Sequence, residues 1–340
     1  MSGSRDSRAN RPKRSPAMEQ FFRAKGEHPD ALLFFRMGDF YEMFFEDAVL
    51  ASQLLDLTLT SRGTDGDGVN IPMAGVPHHA ASGYIARLLE QGQRVAICEQ
   101  MEDPSKVKGI VPREVVRVVT PALVLDPDAL DARASNYLAA LFSTPGKHGL
   151  AALELGAAEA RAATLEGEAD VLTELVRLDA REILTHGVSD ALADSLRRAL
   201  PKAVLRKFEA AQLAAAQAEP SVTQAIQAAA AASSVQIGEA ARAALAMALD
   251  YTRRAQPGTP LDLERIVPYD THSTLLLDEA AVRNLELVST LAGERRGSLL
   301  HFLDVTKTSM GARALRRRLL APLTEVEPIR RRHDSVEAFV

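Results

Sequence analysis

Apolar residues fall along this chain in short blocks, and their spacing changes from one segment to the next. Ala31 to Arg36 is an unbroken apolar run that ends in a charge, the pattern of a buried strand. Gly38-Asp39 marks a turn, and Phe40 to Phe44 reads as a second strand. A helix is predicted over Met18 to Lys25. Another spans Glu46 to Leu57, where Val49, Leu50, Leu54 and Leu57 share one stripe. Thr58 to Thr60 is strand-like, and the Gly- and Asp-rich run Arg62 to Val69 is expected as a loop. Pro72, Gly75 and Pro77 predict a bent, extended stretch. Ala81 to Gln91 is helical, with Gly92 at its C-terminal cap. Val95 to Cys98 and the β-branched run Arg113 to Thr120 complete the strands of a first α/β layer, which stops at Pro121.

The polar run Asp126 to Ser135 reads as a linker. Tyr137 to Phe142 and Leu150 to Leu155 flank a Pro145-Gly146 turn and predict a hairpin, which Ala162 to Leu165 extends. Helix, strand and helix follow at Asp170 to Leu178, Glu182 to Thr185 and Ser189 to Leu200. Glu209 to Ala248 is Ala-rich, which favours helix but offers few large core residues. Strands followed by alternating helix and strand suggest a second α/β domain. After the Gln256-Pro257-Gly258 linker the pattern turns helical: Asp278 to Leu291, Gly311 to Leu320 and Pro328 to Val340. The last helix meets the end of the sequence with no cap and no polar tail, so the chain is expected to be a fragment of something longer. The resulting fold class is mixed α/β, multidomain. A basic tail over 1–17 precedes an α/β domain over 18–124, a second over 125–255 and the start of a helical domain over 256–340.

Composition narrows the class of protein. The 340 residues are 46% hydrophobic and 25% charged, enough apolar material for sizeable cores. One cysteine, Cys98, excludes an internal disulfide and a CxxC metal site, and fits a reducing compartment. No run of 18 apolar residues is present, so no membrane partner is expected. The net charge is −5, divided as −1 up to Thr120, −4 from there to Ala255 and 0 beyond. Nucleic-acid binding would therefore depend on local placement, with the middle segment the least suited to lie on phosphate. The aromatic residues are concentrated: eight of the 16 Phe and Tyr lie between Phe21 and Phe45.

Catalytic and cofactor motifs were sought in turn. The only Gly-Lys pair, Gly146-Lys147, is followed by His148 and has Leu141 where a phosphate-binding loop needs Gly. No GxGxxG follows a strand, and no HExxH, GxSxG or EF-hand loop occurs. His78 and His79 are adjacent and would point apart on extended backbone. Asp39, Glu42, Glu46 and Asp47 lack a partner His, Lys or metal-ligand spacing. No cofactor and no enzymatic activity are expected of these residues.

Arg36-Met37-Gly38-Asp39-Phe40-Tyr41-Glu42-Met43-Phe44 carries more information. Alternation on a strand puts Phe40 and Glu42 on one face, with Tyr41 and Met43 opposite. An exposed ring at the start of a strand can wedge between bases, worth about 1–3 kcal/mol per stacked base. Unstacking a duplex step costs a few kcal/mol, and less where pairing is defective. A neighbouring carboxylate repels phosphate and can accept a hydrogen bond from a displaced base, so it would penalise intact duplex. From pattern alone, a core Phe40 with a solvated Glu42 is the simpler reading.

Resemblance tips that balance. Leu33-Phe34-Phe35-Arg36-Met37-Gly38-Asp39-Phe40-Tyr41-Glu42 resembles the recognition signature of the MutS family of DNA mismatch repair proteins. Ile71-Pro72-Met73-Ala74-Gly75-Val76-Pro77 with His79, Val95-Ala96-Ile97-Cys98-Glu99-Gln100 and Val116-Arg117-Val118-Val119-Thr120-Pro121 follow in the family's order. Ala122 departs from the Gly common there. Leu277 to Leu291, with Asp278 and Arg283-Asn284-Leu285-Glu286, resembles the start of the family's core and lever helices, as does Thr308-Ser309-Met310-Gly311-Ala312-Arg313. Between Pro145 and Ala255 the likeness is weak, and Leu153 to Glu159 departs from the family's polar hairpin.

The resemblance implies a mismatch-recognition domain, an RNase H-like connector and the beginning of a helical core. It assigns Phe40 as the wedge and Glu42 as its hydrogen-bonding companion. Arg113 becomes a candidate contact to the DNA backbone, with Arg62, Lys106 and Lys108 as further candidates. The partners implied are mismatched double-stranded DNA, a second copy of the chain and a MutL-type protein. A C-terminal ATPase domain outside this sequence would use ATP and Mg2+ to form a sliding clamp. The setting implied is a bacterial, nucleoid-associated, cytoplasmic protein. Two rivals stand beside this reading: a MutS-like DNA-binding protein without mismatch specificity, and a nuclease-like middle domain, which would need clustered carboxylates.

Overall fold

The computed structural model describes residues 15–64, 69–103, 109–123, 136–154, 158–234, 236–259, 263–268 and 274–339. Their contacts divide the chain into two units, one up to Ala129 with the short stretch Ala255–Pro257, the other comprising Leu130–Arg254 and Gly258–Val340.

The first unit begins with α1 (Pro16–Glu27), which Ser15 caps by accepting a hydrogen bond from the Met18 amide, with Pro16 in the first turn. Then come β1 (Leu32–Met37), β2 (Phe40–Phe44) and α2 (Phe45–Leu55). β3 (Thr60–Thr64), β4 (Asn70–Pro77), α3 (Ala81–Glu90), β5 (Val95–Gln100) and β6 (Arg113–Val119) follow. The six strands form one mixed sheet in the order β3-β4-β2-β1-β5-β6, parallel only between β1 and β5. Phe21 of α1 sets its ring edge-on to Phe35 at 5.7 Å and to Phe44 at 5.2 Å, fixing the helix to the sheet. Asp47, buried on α2, pairs with Lys25 of α1 at 2.8 Å and accepts from the Leu33 amide at 3.0 Å. Cys98 is a buried core residue whose thiol burial pushes up to about 12.

One expectation changes here and one is sharpened. Arg62, Gly63 and Thr64 are strand, not loop. The extended stretch expected around Pro72, Gly75 and Pro77 is a full interior strand, β4. A proline withdraws one ladder donor, and β4 meets that loss where its pairing with β3 is irregular, between Ser61 and Thr64.

The second unit holds β7 (Leu138–Thr144), β8 (Lys147–Glu154), β9 (Glu159–Leu165), α4 (Glu168–Leu178), β10 (Glu182–His186), α5 (Asp190–Ala199) and β11 (Val204–Lys207). Three helices follow, α6 (Ala210–Ala218), α7 (Pro220–Ser233) and α8 (Glu239–Ala255), and then β12 (Arg265–Pro268). The sheet order is β11-β10-β7-β8-β9-β12. β7, β8 and β9 form an antiparallel meander, and β10, β11 and β12 join it in parallel. β12 comes from beyond Ala255, the expected end of the middle domain, so its sheet continues past that point. Leu141, Leu150, Val171, Leu175, Ile183, Leu192 and Leu196 fill a core beneath α4 and α5.

The Ala-rich α8 is the most deeply packed helix of the unit, buried almost continuously from Ala240 to Asp250. Small side chains permit it: a Cβ on Gly149 of β8 would lie 1.9 Å from the Ala240 carbonyl oxygen. Tyr251 of α8 then donates to the wholly buried Glu182 at 2.5 Å, which Arg206 also engages at 2.5 Å.

The last segment has four helices among the described residues: α9 (Glu279–Asn284), α10 (Leu299–Leu303), α11 (Ser309–Leu320) and α12 (Val326–Glu337). The helix expected over Asp278 to Leu291 ends early. Glu286 adopts φ 48°, and the carbonyls of Glu286 and Leu287 accept from Leu299 and Leu300 instead of continuing a helix. The final helix is likewise closed, at Glu337, with Ala338 as its cap.

Candidate nucleic-acid interface

β2 carries both candidate recognition residues, and strand alternation sorts its side chains cleanly. Tyr41 and Met43 are buried at 5% and 0% exposure, whereas Phe40, the first residue of the strand, is 47% exposed. Phe40, Glu42 and Phe44 share the other face. It grades from Phe44, packed against Phe21, to Phe40 at the free end. The core reading of Phe40 is thereby excluded.

The backbone beneath the ring is held on both sides. Phe40 lies opposite Met37 in β1 and opposite Pro77 in β4, and the His78 amide donates to Asp39 at 2.8 Å. On the buried face, the Tyr41 hydroxyl donates to Glu99 of β5, and the Arg36 guanidinium lies 5.6 Å from the centre of the Tyr41 ring. Burial and the Glu99 carboxylate both raise the Tyr41 pKa. His78 stands 4.0 Å from the same carboxylate, its ring 5.4 Å from that of Tyr41. Sequence reasoning left His78 without a role; its place beside Tyr41 depends on the turn from β4 into α3.

Glu42 is not a bare carboxylate. Arg62, reaching across from β3, donates to both of its oxygens, to Oε1 at 2.7 Å. Gly75 of β4 lies directly opposite Glu42 and between the two, and its missing side chain leaves the span open. The Arg62 side chain is 52% exposed and that of Glu42 only 14%, so the cation forms the outer layer of the pair.

Arg113 does not take the expected posture of a phosphate contact. It is buried, its Nε donates to the Arg36 carbonyl at 2.7 Å and its Nη1 to that of Val111 at 3.0 Å. The guanidinium lies 5.2 Å from the centre of the Phe35 ring, and burial lowers its pKa. Those bonds tie β6 to the end of β1, which gives Arg113 a structural place in the sheet. Of the other basic candidates, Arg62 is presented on the surface, and Lys106 and Lys108 lie outside the described residues, as do 1–14 of the basic tail.

The face thus presents an aromatic side chain half-exposed at the end of a strand paired on both sides, with a covered carboxylate two residues on. Comparison with known proteins identifies its lineage. Residues 15–128 match the family model described as MutS domain I, and residues 280–340 match MutS domain III. The chain belongs to the MutS family, as a counterpart of its N-terminal portion. It is 50% identical over 345 aligned residues to the DNA mismatch repair protein MutS of Sorangium cellulosum (strain So ce56), covering 98% of this chain and 37% of that protein. The namesakes from Anaeromyxobacter sp. (strain Fw109-5) and Myxococcus xanthus (strain DK1622) are each 43% identical over 95% of this chain. The chain spans 36% of the length of each of those two. Among the described residues no helix is long and apolar enough to cross a membrane.

Proposed function

We propose that this chain is the mismatch-sensing portion of a DNA mismatch repair protein. Phe40 enters the duplex at a mispaired or looped step and stacks there, while Glu42 accepts a hydrogen bond from the displaced base. The observation that carries the reading is the 47% exposure of Phe40 at the end of a strand whose next side chain is fully packed. A ring on such a mount stacks at any step it can open, and the steps that open cheaply are the defective ones. The named function of the relatives supports the same reading.

Within it, 18–124 is the recognition domain, the segment from 125 through β12 the connector, and the residues after β12 the beginning of the core. The antiparallel meander followed by parallel strands in the second unit supports an RNase H-like connector. A homodimer, a MutL-type partner and a nucleoid location belong to the proposal through the family resemblance. So does an ATP- and Mg2+-using domain outside this chain. Here the one Gly-Lys pair lies at the β7–β8 hairpin and does not fit a phosphate-binding loop.

The test is fluorescence-anisotropy titration of matched duplexes and of duplexes with a single mismatch or loop, at two salt concentrations. The reading expects preference for the defect and a salt-dependent component common to both. Equal affinity for all three duplexes would sink it.

A further inference from the structure

The Glu42–Arg62 pair, layered with the cation outside, changes how discrimination works, and the inference drawn from it rests on the reading above. A duplex approaching Phe40 meets the Arg62 guanidinium first and the carboxylate only beneath it. Intact DNA therefore encounters no repulsion from Glu42 while the pair is closed. We propose that Arg62 is a specificity-determining residue, a cover that stays on Glu42 against matched duplex and exchanges it for a DNA phosphate when a defect docks, so uncovering the carboxylate beside the wedge.

Three features of the site support an exchange. Arg62 is more than half exposed and sits on β3, an edge strand, so its side chain has room to turn outward. Its guanidinium satisfies a phosphate as well as a carboxylate, with the same planar donors. Gly75, opposite Glu42, places no side chain between the two residues, and the pair closes and opens over a bare strand. Arg113, the other arginine in electrostatic reach of Glu42, is fixed by carbonyls and cannot follow the duplex. Once Arg62 has moved, Glu42 is a half-buried acceptor next to polyanionic DNA. In an intact base pair the Watson–Crick donors are already bonded; a displaced base frees one for the carboxylate. Opening the pair costs free energy that only a defect offsets, so matched duplex docks with the pair closed and Glu42 covered.

A double-mutant cycle of Arg62→Ala and Glu42→Ala in the intact protein, read as affinity for matched and mismatched duplex, tests this. Arg62→Ala should lower the salt slope by about one and raise the preference for the defect, since Glu42 is then permanently uncovered. Glu42→Ala should strengthen matched binding by about threefold or more beyond its effect in the wild type when Arg62 is already removed. Additive effects, or coupling of the opposite sign, would overturn the proposal. A parallel Phe40→Ala titration separates the two levels. If Phe40→Ala abolishes preference while the cycle is additive, only the role of Arg62 falls; if preference survives Phe40→Ala, the wedge reading itself falls. Without DNA, Glu42→Gln should free the restricted rotation of the Arg62 guanidinium seen by NMR. Unchanged rotation would show that no cover exists.

Discussion

Replacing Phe40 by Ala removes the ring and leaves its mount. About half of the side chain is exposed, so truncation withdraws only part of the burial of a phenylalanine, roughly 1 kcal/mol of stability. Phe21, Phe35 and Phe44, which join α1 to the sheet, are untouched. The pairing of Phe40 opposite Met37 and Pro77 belongs to the backbone and persists. Binding should change far more than folding. A ring stacked on one base is worth about 1–3 kcal/mol, which corresponds to a roughly 5- to 150-fold loss on the mismatched duplex. Matched duplex, where the ring gains little, should lose less than about threefold, so the preference collapses toward one. The assay is anisotropy titration at fixed salt, with a urea melt of the same preparation to certify the fold. A variant that is folded and still prefers the defect by the wild-type margin would refute the wedge.

Other substitutions probe the frame. Gly149→Ala drives a methyl group toward the Ala240 carbonyl and should cost about 1–3 kcal/mol or more, seen as a lower melting temperature. Asp47→Ala strands the buried Leu33 amide and frees Lys25, lowering stability by about 1–3 kcal/mol in denaturant titration with DNA preference unchanged. Cys98 and Tyr41 both hold their protons more tightly when folded than their ordinary values of 9.0 and 10.0 allow. Their contribution is therefore complete at neutral pH and is lost as pH rises above about 9. The urea midpoint should fall between pH 8 and about pH 10.5, and a thiol reagent should label Cys98 only after unfolding; a flat midpoint would contradict the assignment.

The face of β2 was legible from sequence because period-two alternation needs nothing beyond the strand itself. The partner of Glu42 was not, since Arg62 stands 20 positions away and meets it only after β4 has come between their strands. Arg113 misled for a related reason: its acceptors are the carbonyls of Arg36 and Val111, and a backbone acceptor leaves no mark in residue type. The strands β11 and β12, four residues each, are too short to show a period, and β12 completes its sheet from about 100 positions beyond β9. α8 was legible as a helix but not as a core element, because alanine signals helix strongly and burial weakly. α9 shows the converse: its apolar spacing runs on past Asn284, but the turn at Glu286 directs the chain toward α10.

The place of β2 inside its sheet has a mechanical consequence. A strand paired on both sides has little freedom to recoil, and Tyr41 pins it from below to Glu99, on the far side of β1. When two bodies are pressed together, the softer one deforms. On the proposed reading Phe40 is mounted on the stiffer body, and the displacement would be taken up almost wholly by the nucleic acid. The strength of the contact then becomes a gauge of local compliance, much as a hard indenter reports the softness of what it touches.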